Sequence, residues 1–304
     1  MSVTRNRCIF FAIMSSTLSS VATLFKVQGV EHVAPLLGAS VGVLFAGLIS
    51  FPYLAFRRQL PTFSQLWAVR SPLIKLIIAR PIISNILFTV GLTMKTGVKA
   101  VFLTKMEPYL VIFWVWVLDG KRPSGRHLNL LLVHILGAIL LSVGDFTTIS
   151  SAQWGDAIIF TAVITAGLSY RYAPRVTAVL TPTQTAAVTE TAGGLLTLPI
   201  ALAMCSVALG PEQREGWMYL AVHSVLFYVL AVPLLYASLG GIEGWHSSAL
   251  RATGPLTAVP IAYFFFGERL SSVQLLGGLV VLTTSALVSR PARKRAEDAE
   301  PAPA

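Results

Sequence analysis

The chain is poor in the residues that soluble chemistry relies on. It has two cysteines in 304 residues, Cys8 and Cys205. Both lie inside apolar stretches, which excludes a disulfide framework and any cysteine-based metal spacing. Only 12% of its residues are charged, about half the share of an ordinary soluble domain. It contains no His-x-x-x-His, no Cys-x-x-Cys and no G-x-x-x-x-G-K-[ST] run, so neither a metal site nor nucleotide hydrolysis is expected. His134 and His223 stand alone in apolar segments and read as satisfied core histidines. No stretch is long and polar enough to form a separate soluble domain, and no catalytic residue or cofactor is expected.

What the chain has in quantity is apolar surface: 55% of residues are apolar and the mean hydropathy is +0.72. A chain so apolar on all sides needs lipid as its solvent. At about 20 residues per helical span, ten spans use about 200 residues and leave about ten per connection. Apolar windows place them near 9–25, 33–56, 72–92, 98–118, 128–144, 157–173, 183–206, 217–239, 245–266 and 273–289. The expected fold is an all-α integral membrane bundle. Arg5 and Arg7 precede an apolar run without a convincing cleavage site, so 9–25 is read as a span and not as a signal peptide. The charged, Pro- and Ala-rich segment 291–304 is expected to be a disordered cytoplasmic tail.

The net charge of +10 is scattered singly between apolar runs, which argues against nucleic acid as a partner and for a topology signal. The connections on the side of both termini carry fourteen Lys/Arg: Arg5, Arg7, Arg57, Arg58, Arg70, Lys121, Arg122, Arg126, Arg171, Arg175, Arg290, Arg293, Lys294 and Arg295. The opposite side carries five: Lys26, Lys95, Lys99, Arg214 and Arg269. The positive-inside rule then makes both termini cytoplasmic in a plasma (inner) membrane. Trp67, Trp154, Trp217 and Trp245 stand near span ends, as interfacial aromatics do.

An internal repeat runs through the chain. Gly120-Lys121-Arg122-Pro123-Ser124 and Gly267-Glu268-Arg269-Leu270-Ser271 are 147 residues apart, and the same offset pairs Pro108 with Pro255. Residues 1–150 and 151–290 then form two five-helix repeats. Five is odd, so the second repeat enters the membrane from the opposite face. Such inverted repeats place a binding site near the midplane, between the halves.

These residues carry a resemblance. Gly155-Asp156, Thr253-Gly254-Pro255, the run Tyr263 to Ser271 and Gln274 to Gly277, with Met106-Glu107-Pro108, Gly120 to Ser124 and Gly137 in the first half, resemble the ten-helix EamA type of the drug/metabolite transporter superfamily. The resemblance implies a secondary carrier with cytoplasmic termini that moves a small metabolite, often outward, through a cavity between its halves.

Ionisable residues inside spans are candidates for that site, because a charge at the bilayer centre costs at least about 2.5–3.5 kcal/mol. Lys105 with Tyr109 one turn on, and Arg251 in the other half, are read as an anion clamp; the alternative is that Lys105 pairs structurally with Glu107 or Glu190. Pro108 and Pro255 each free a carbonyl one turn back and read as hinges or packing kinks. Glu107 and Glu190 are the acidic residues well inside spans, able to couple a proton or to partner a cation. Arg80, with Ser84 one turn on, is a substrate contact or an interhelical tie, and Asn85, Trp114, Tyr228 and Tyr236 are possible cavity walls. Lys99 and His246 sit near span ends as snorkelling or gating residues. Gly193-Gly194 with Thr197 has small-xxx-small spacing and reads as close intramolecular packing. Four intraspan cations (Lys75, Arg80, Lys105, Arg251) against two carboxylates favour an amino acid or organic anion as the transported small molecule. Proton-coupled efflux of lipophilic cations is the alternative, and a non-transporting receptor or chaperone a second one. No acid/base pair or metal triad supports an intramembrane enzyme. Monomer and homodimer stay open.

Overall fold

A computed structural model describes residues 4–94, 99–143, 151–207, 210–267 and 269–288. The expected tail 291–304, Lys95, Glu268, Arg290 and the side chain of Lys99 lie outside the described residues, and the 150/151 division abuts residues 144–150, also outside them. Everything regular among the described residues is helical. In chain order the long segments are α1 (Arg5–His32), α2 (Pro35–Phe56), α3 (Arg70–Leu92), α4 (Ala100–Asp119) and α5 (Gly125–Val143). They are followed by α6 (Ser151–Gly167 and Ser169–Thr177), α7 (Pro182–Met204) and α8 (Pro211–Ser238). The last two are α9 (Gly244–Leu250, Arg251–Thr253 and Pro255–Phe266) and α10 (Ser272–Val288). Each overlaps one expected span. Six of them, α1 to α4, α7 and α8, are by themselves long and apolar enough to cross a membrane. Large apolar side chains such as Leu132 on α5 and Leu195 and Leu196 on α7 face outward, which suits lipid and not water.

The 147-residue register is written into the backbone as well as the sequence. The ordinary helical turn widens to a π-helix at Ile78–Ser84 in α3 and again at Val225–Ala231 in α8. It tightens to a 3₁₀ turn at Thr104–Met106 in α4 and at Arg251–Thr253 in α9. Helices α4 and α9 both stop on a left-handed glycine, Gly120 with φ 69° and Gly267 with φ 66°. Proline accounts for part of this. The ring of Pro81 lies within the first π segment, where it removes one intrahelical bond and crowds the carbonyl four residues back. Pro108 and Pro255 stand in the first turn after each 3₁₀ break, where a missing N–H is tolerated.

Helix packing obeys the same symmetry. The pairs α2–α7, α5–α10 and α4–α9 are each unchanged when a helix is exchanged for its mate five places on, and α1–α8 exchanges with α6–α3. Small residues let these helices approach. A Cβ on Gly194 would meet Leu44 of α2, and one on Gly193 would meet Pro81 of α3, so this small-residue pair packs inside the chain as expected.

Candidate functional site

Between the halves lies a cavity of about 80 Å³. Its walls are α1, α3 and α4 of the first repeat, their mates α6, α8 and α9 of the second, and α7. Five charged side chains reach it, Lys26, Arg80, Glu107, Glu190 and Arg251, and all five are buried. The cost of placing charge at membrane depth makes this concentration the candidate site.

Helix α1 brings Lys26 in on a polar stripe. Ser15, Ser16, Ser19, Ser20 and Thr23 are all buried, and their spacing of three and four puts them on one face. Lys26 continues that face. Its Nζ donates to Asn85 Oδ1 at 2.7 Å and lies 5.6 Å from the Phe88 ring centroid. The same amide oxygen accepts from the Tyr228 hydroxyl at 2.7 Å. Asn85 Nδ2 donates to the Ala39 carbonyl at 3.1 Å, so the amide is held from both ends. The Nδ1 atom of His223 lies 3.0 Å from the Ala22 carbonyl.

Arg80 sits in the π turn of α3. Its Nη1 donates to Ser169 Oγ at 3.2 Å, and its guanidinium lies 5.9 Å and 6.0 Å from the ring centroids of Phe227 and Tyr236. A guanidinium carries five N–H donors, and among the described residues only this one hydrogen bond uses them. Glu190 of α7 is 1% exposed, and among the described residues neither of its carboxylate oxygens has a hydrogen-bond partner.

Arg251 is engaged on several sides. Its Nη1 donates to the Tyr170 hydroxyl at 2.9 Å and lies 3.6 Å from Glu107 Oε2, while Nη2 donates to Ser19 Oγ at 3.3 Å. Tyr170 in turn donates to Glu107 Oε2 at 2.7 Å. The main-chain oxygen of Arg251 accepts from Lys105 Nζ at 3.0 Å and from the Ser16 hydroxyl. The Gly254 N–H donates back to Ser16 Oγ at 3.0 Å. Helices α1, α4, α6 and α9 are thereby tied together at one point.

Of the residues expected at the site, Arg80, Asn85, Glu107, Glu190, Tyr228 and Arg251 line the cavity, as does Ser84. Lys105, Tyr109 and Trp114 do not. Lys105 donates to the Arg251 carbonyl and to Ser20 Oγ at 3.4 Å, and among the described residues it makes no ion pair with Glu107 or Glu190. Regular α-helical spacing puts Tyr109 on the face of Lys105, but the 3₁₀ turn at Thr104–Met106 changes the angle per residue. Its ring lies 4.6 Å from that of His134, on the side of α5. Trp114 donates to the Ile164 carbonyl at 2.8 Å and packs α4 on α6. Neither Pro108 nor Pro255 lines the cavity; Glu107, directly before the first, and Arg251, four residues before the second, do. His246 stacks on Trp245. Lys75 is exposed, beside the Tyr172 ring at 5.7 Å.

Two site residues escape the sequence reading. Hydropathy assigns Lys26 to an outer connection because the first apolar window stops at residue 25; α1 runs on to His32. The Ser/Thr stripe pointing at Lys26 is the signal that could find it. Tyr170 has no comparable signal, since a tyrosine beside Arg171 near a helix end reads as interfacial.

A model of the EamA-like transporter family matches residues 6–143 and again 153–290. A solved crystal structure shares the fold at a TM-score of 0.69, with 14% identity, over 93% of this chain and 96% of the other. In all, 27 chains of solved structures match. No curated protein matches.

Proposed function

This chain belongs to the EamA-like transporter family, a multi-pass membrane carrier of small molecules with two EamA repeats and no enzymatic role, and from that premise we propose that its substrate is an amino acid or a related organic anion, moved outward by alternating access. The observation that carries this reading is the charge display of the cavity. Lys26 and Arg80 line the same cavity as Glu190, whose two buried oxygens have no hydrogen-bond partner among the described residues. A carboxylate fits the first two, with the guanidinium able to offer a bidentate fork. An ammonium group fits the third. Glu107 and Arg251 are committed to one another through Tyr170 and form the wall behind. A lipophilic cation would meet Glu190 only beside two positive charges, which disfavours it.

Alternating access draws support from the two repeats. The cavity is walled by repeat-related helices whose 3₁₀ and π turns stand at equivalent places, and such breaks are where helices bend. The cytoplasmic placement of both termini rests on charge. With Lys26 inside the bundle, the outer connections retain Lys95, Lys99, Arg214 and Arg269 against fourteen cations on the other side.

The test is transport of radiolabelled amino acids, organic acids and a lipophilic phosphonium by protein in liposomes. Saturable flux of one of the first two classes is expected, lost in Arg80→Gln and weakened in Lys26→Gln. Flux of the phosphonium alone, abolished by Glu190→Gln and indifferent to Arg80→Gln, would overturn the proposal.

A further inference from the structure

A second charged site lies away from the cavity, at the corner where α2 ends and α3 begins. Residues 53–75 contain Arg57, Arg58, Arg70 and Lys75 and no acidic residue. The corner is rigidly built. The Gln59 N–H donates to the Leu54 carbonyl at 2.8 Å and the Arg58 N–H to the Ala55 carbonyl at 3.0 Å, the two-bond pattern that closes a helix on a left-handed residue. That residue is Arg58, with φ 53°, the only non-glycine at positive φ among the described residues. Glycine adopts this conformation without penalty and arginine does not. Arginine at this position therefore carries a backbone penalty.

The neighbouring backbone is pinned as well. Gln184 at the start of α7 donates to the Gln59 carbonyl at 2.7 Å. A capping box between Thr62 and Gln65 then starts the short helix Phe63–Ala68. No residue of that helix is buried. Phe63 and Trp67 stack at 6.0 Å between centroids, both well exposed, and Phe56 is 87% exposed. Arg70 lies 4.6 Å from the Trp67 centroid and donates to the Trp67 carbonyl at 3.0 Å. The end of α6 packs on the start of α3, which brings exposed Arg175 to the same end of the bundle, while Arg171 is neutralised by Asp119.

Cations alone would suit any soluble anion, and aromatics alone any apolar surface. Here they alternate along one segment, residues 56–70, that joins the ends of two membrane helices. The occupant must offer a phosphate beside a hydrocarbon tail. We propose that this corner binds the anionic headgroups of phospholipids in the leaflet on the side of both termini, with Arg57, Arg58 and Arg70 on the phosphate and Phe56, Phe63 and Trp67 against the upper acyl chains.

Native mass spectrometry and melting curves of the full chain, titrated with phosphatidylglycerol or phosphatidylcholine, test this. One cation near an anionic surface strengthens binding about fivefold, so Arg57→Gln/Arg58→Gln/Arg70→Gln should weaken phosphatidylglycerol binding on the order of a hundredfold. Phosphatidylcholine binding should not change, and the stabilisation that phosphatidylglycerol gives wild type should vanish. The variant's melting temperature in phosphatidylcholine reports that it is folded. Should it fail to fold, Arg58→Gly, which relieves the strained φ, replaces it; phosphatidylglycerol binding weakened about fivefold, with raised basal stability, is then expected. Lys121→Gln/Arg122→Gln, on the same face, should keep the selectivity. The proposal is overturned if wild type shows no preference for phosphatidylglycerol, if the arginine variant tested binds phosphatidylglycerol as tightly as wild type does, if the Lys121/Arg122 variant loses the preference equally, or if inorganic phosphate alone stabilises wild type as well as the lipid does.

Discussion

The ammonium of Lys105 lies 3.0 Å from the main-chain oxygen of Arg251, the carbonyl that Pro255, four residues on, leaves without its helical donor. The two halves of the molecule thus meet through a cation of one repeat and a proline-freed carbonyl of the other. A carbonyl freed in the membrane is tolerated where another group satisfies it. In the first repeat the equivalent carbonyl, that of Thr104 before Pro108, accepts from the Glu107 N–H, as the Arg251 carbonyl accepts from the Gly254 N–H at 3.5 Å; the bond from Lys105 is additional.

This arrangement makes Lys105 structural. Lys105→Met is expected to destabilise the protein by about 1.5–3 kcal/mol, the range for a hydrogen bond from a charged group. Ligand affinity should stay close to wild type. Parallel melting curves and ligand titrations of Lys105→Met and Arg80→Gln check it, because Arg80→Gln should show the reverse pattern.

Glu107, Tyr170 and Arg251 form a closed buried network, so removing one charge strands the other. Glu107→Gln should cost about 3–5 kcal/mol. Arg251→Met in the same chain should recover part of that loss. A double-mutant cycle on stability measures the coupling; strictly additive losses would mean the 3.6 Å pair contributes nothing as a pair.

Gly47 of α2 faces Thr191 of α7, and a Cβ there would overlap the Thr191 hydroxyl and come within 3.0 Å of its Cβ. Gly47→Ala is therefore expected to cost about 1–3 kcal/mol by overpacking. Adding Thr191→Ala should return most of it, read as recovery of the melting temperature.

Gly120 and Gly267 close α4 and α9 with φ 69° and 66°, and nothing lies within 4 Å of where a methyl group on either would stand. Their replacement by alanine carries a backbone penalty and no steric one, about 1 kcal/mol or somewhat more at each site. Equal losses at the two positions are expected. Asparagine, which tolerates the left-handed region, should lose less at both.

The ten helices, the 147-residue repeat and the small-residue packing of Gly193 and Gly194 were legible because each depends on local pattern: apolar run length, proline and glycine placement, and side-chain volume. Arg80, Asn85, Glu107, Glu190, Tyr228 and Arg251 were legible as residues that line the cavity for a related reason, since polarity at membrane depth is costly enough to mark itself. The partners of these groups were not. Lys105 and Arg251 read as one anion clamp, yet Lys105 turns to a carbonyl. Lys26 reads as a loop cation, yet it stands in the cavity.

The sequence by itself determined that this chain lies in lipid as two similar five-helix halves, because hydropathy and repeat register are properties of the chain alone. Only the tertiary structure decided which buried charges face the cavity and which face each other. A 3₁₀ turn at Thr104–Met106 and a π turn at Ile78–Ser84 rotate every following side chain away from its ideal helical direction. Whether an arginine meets a carboxylate or open space then depends on helices far away in the chain.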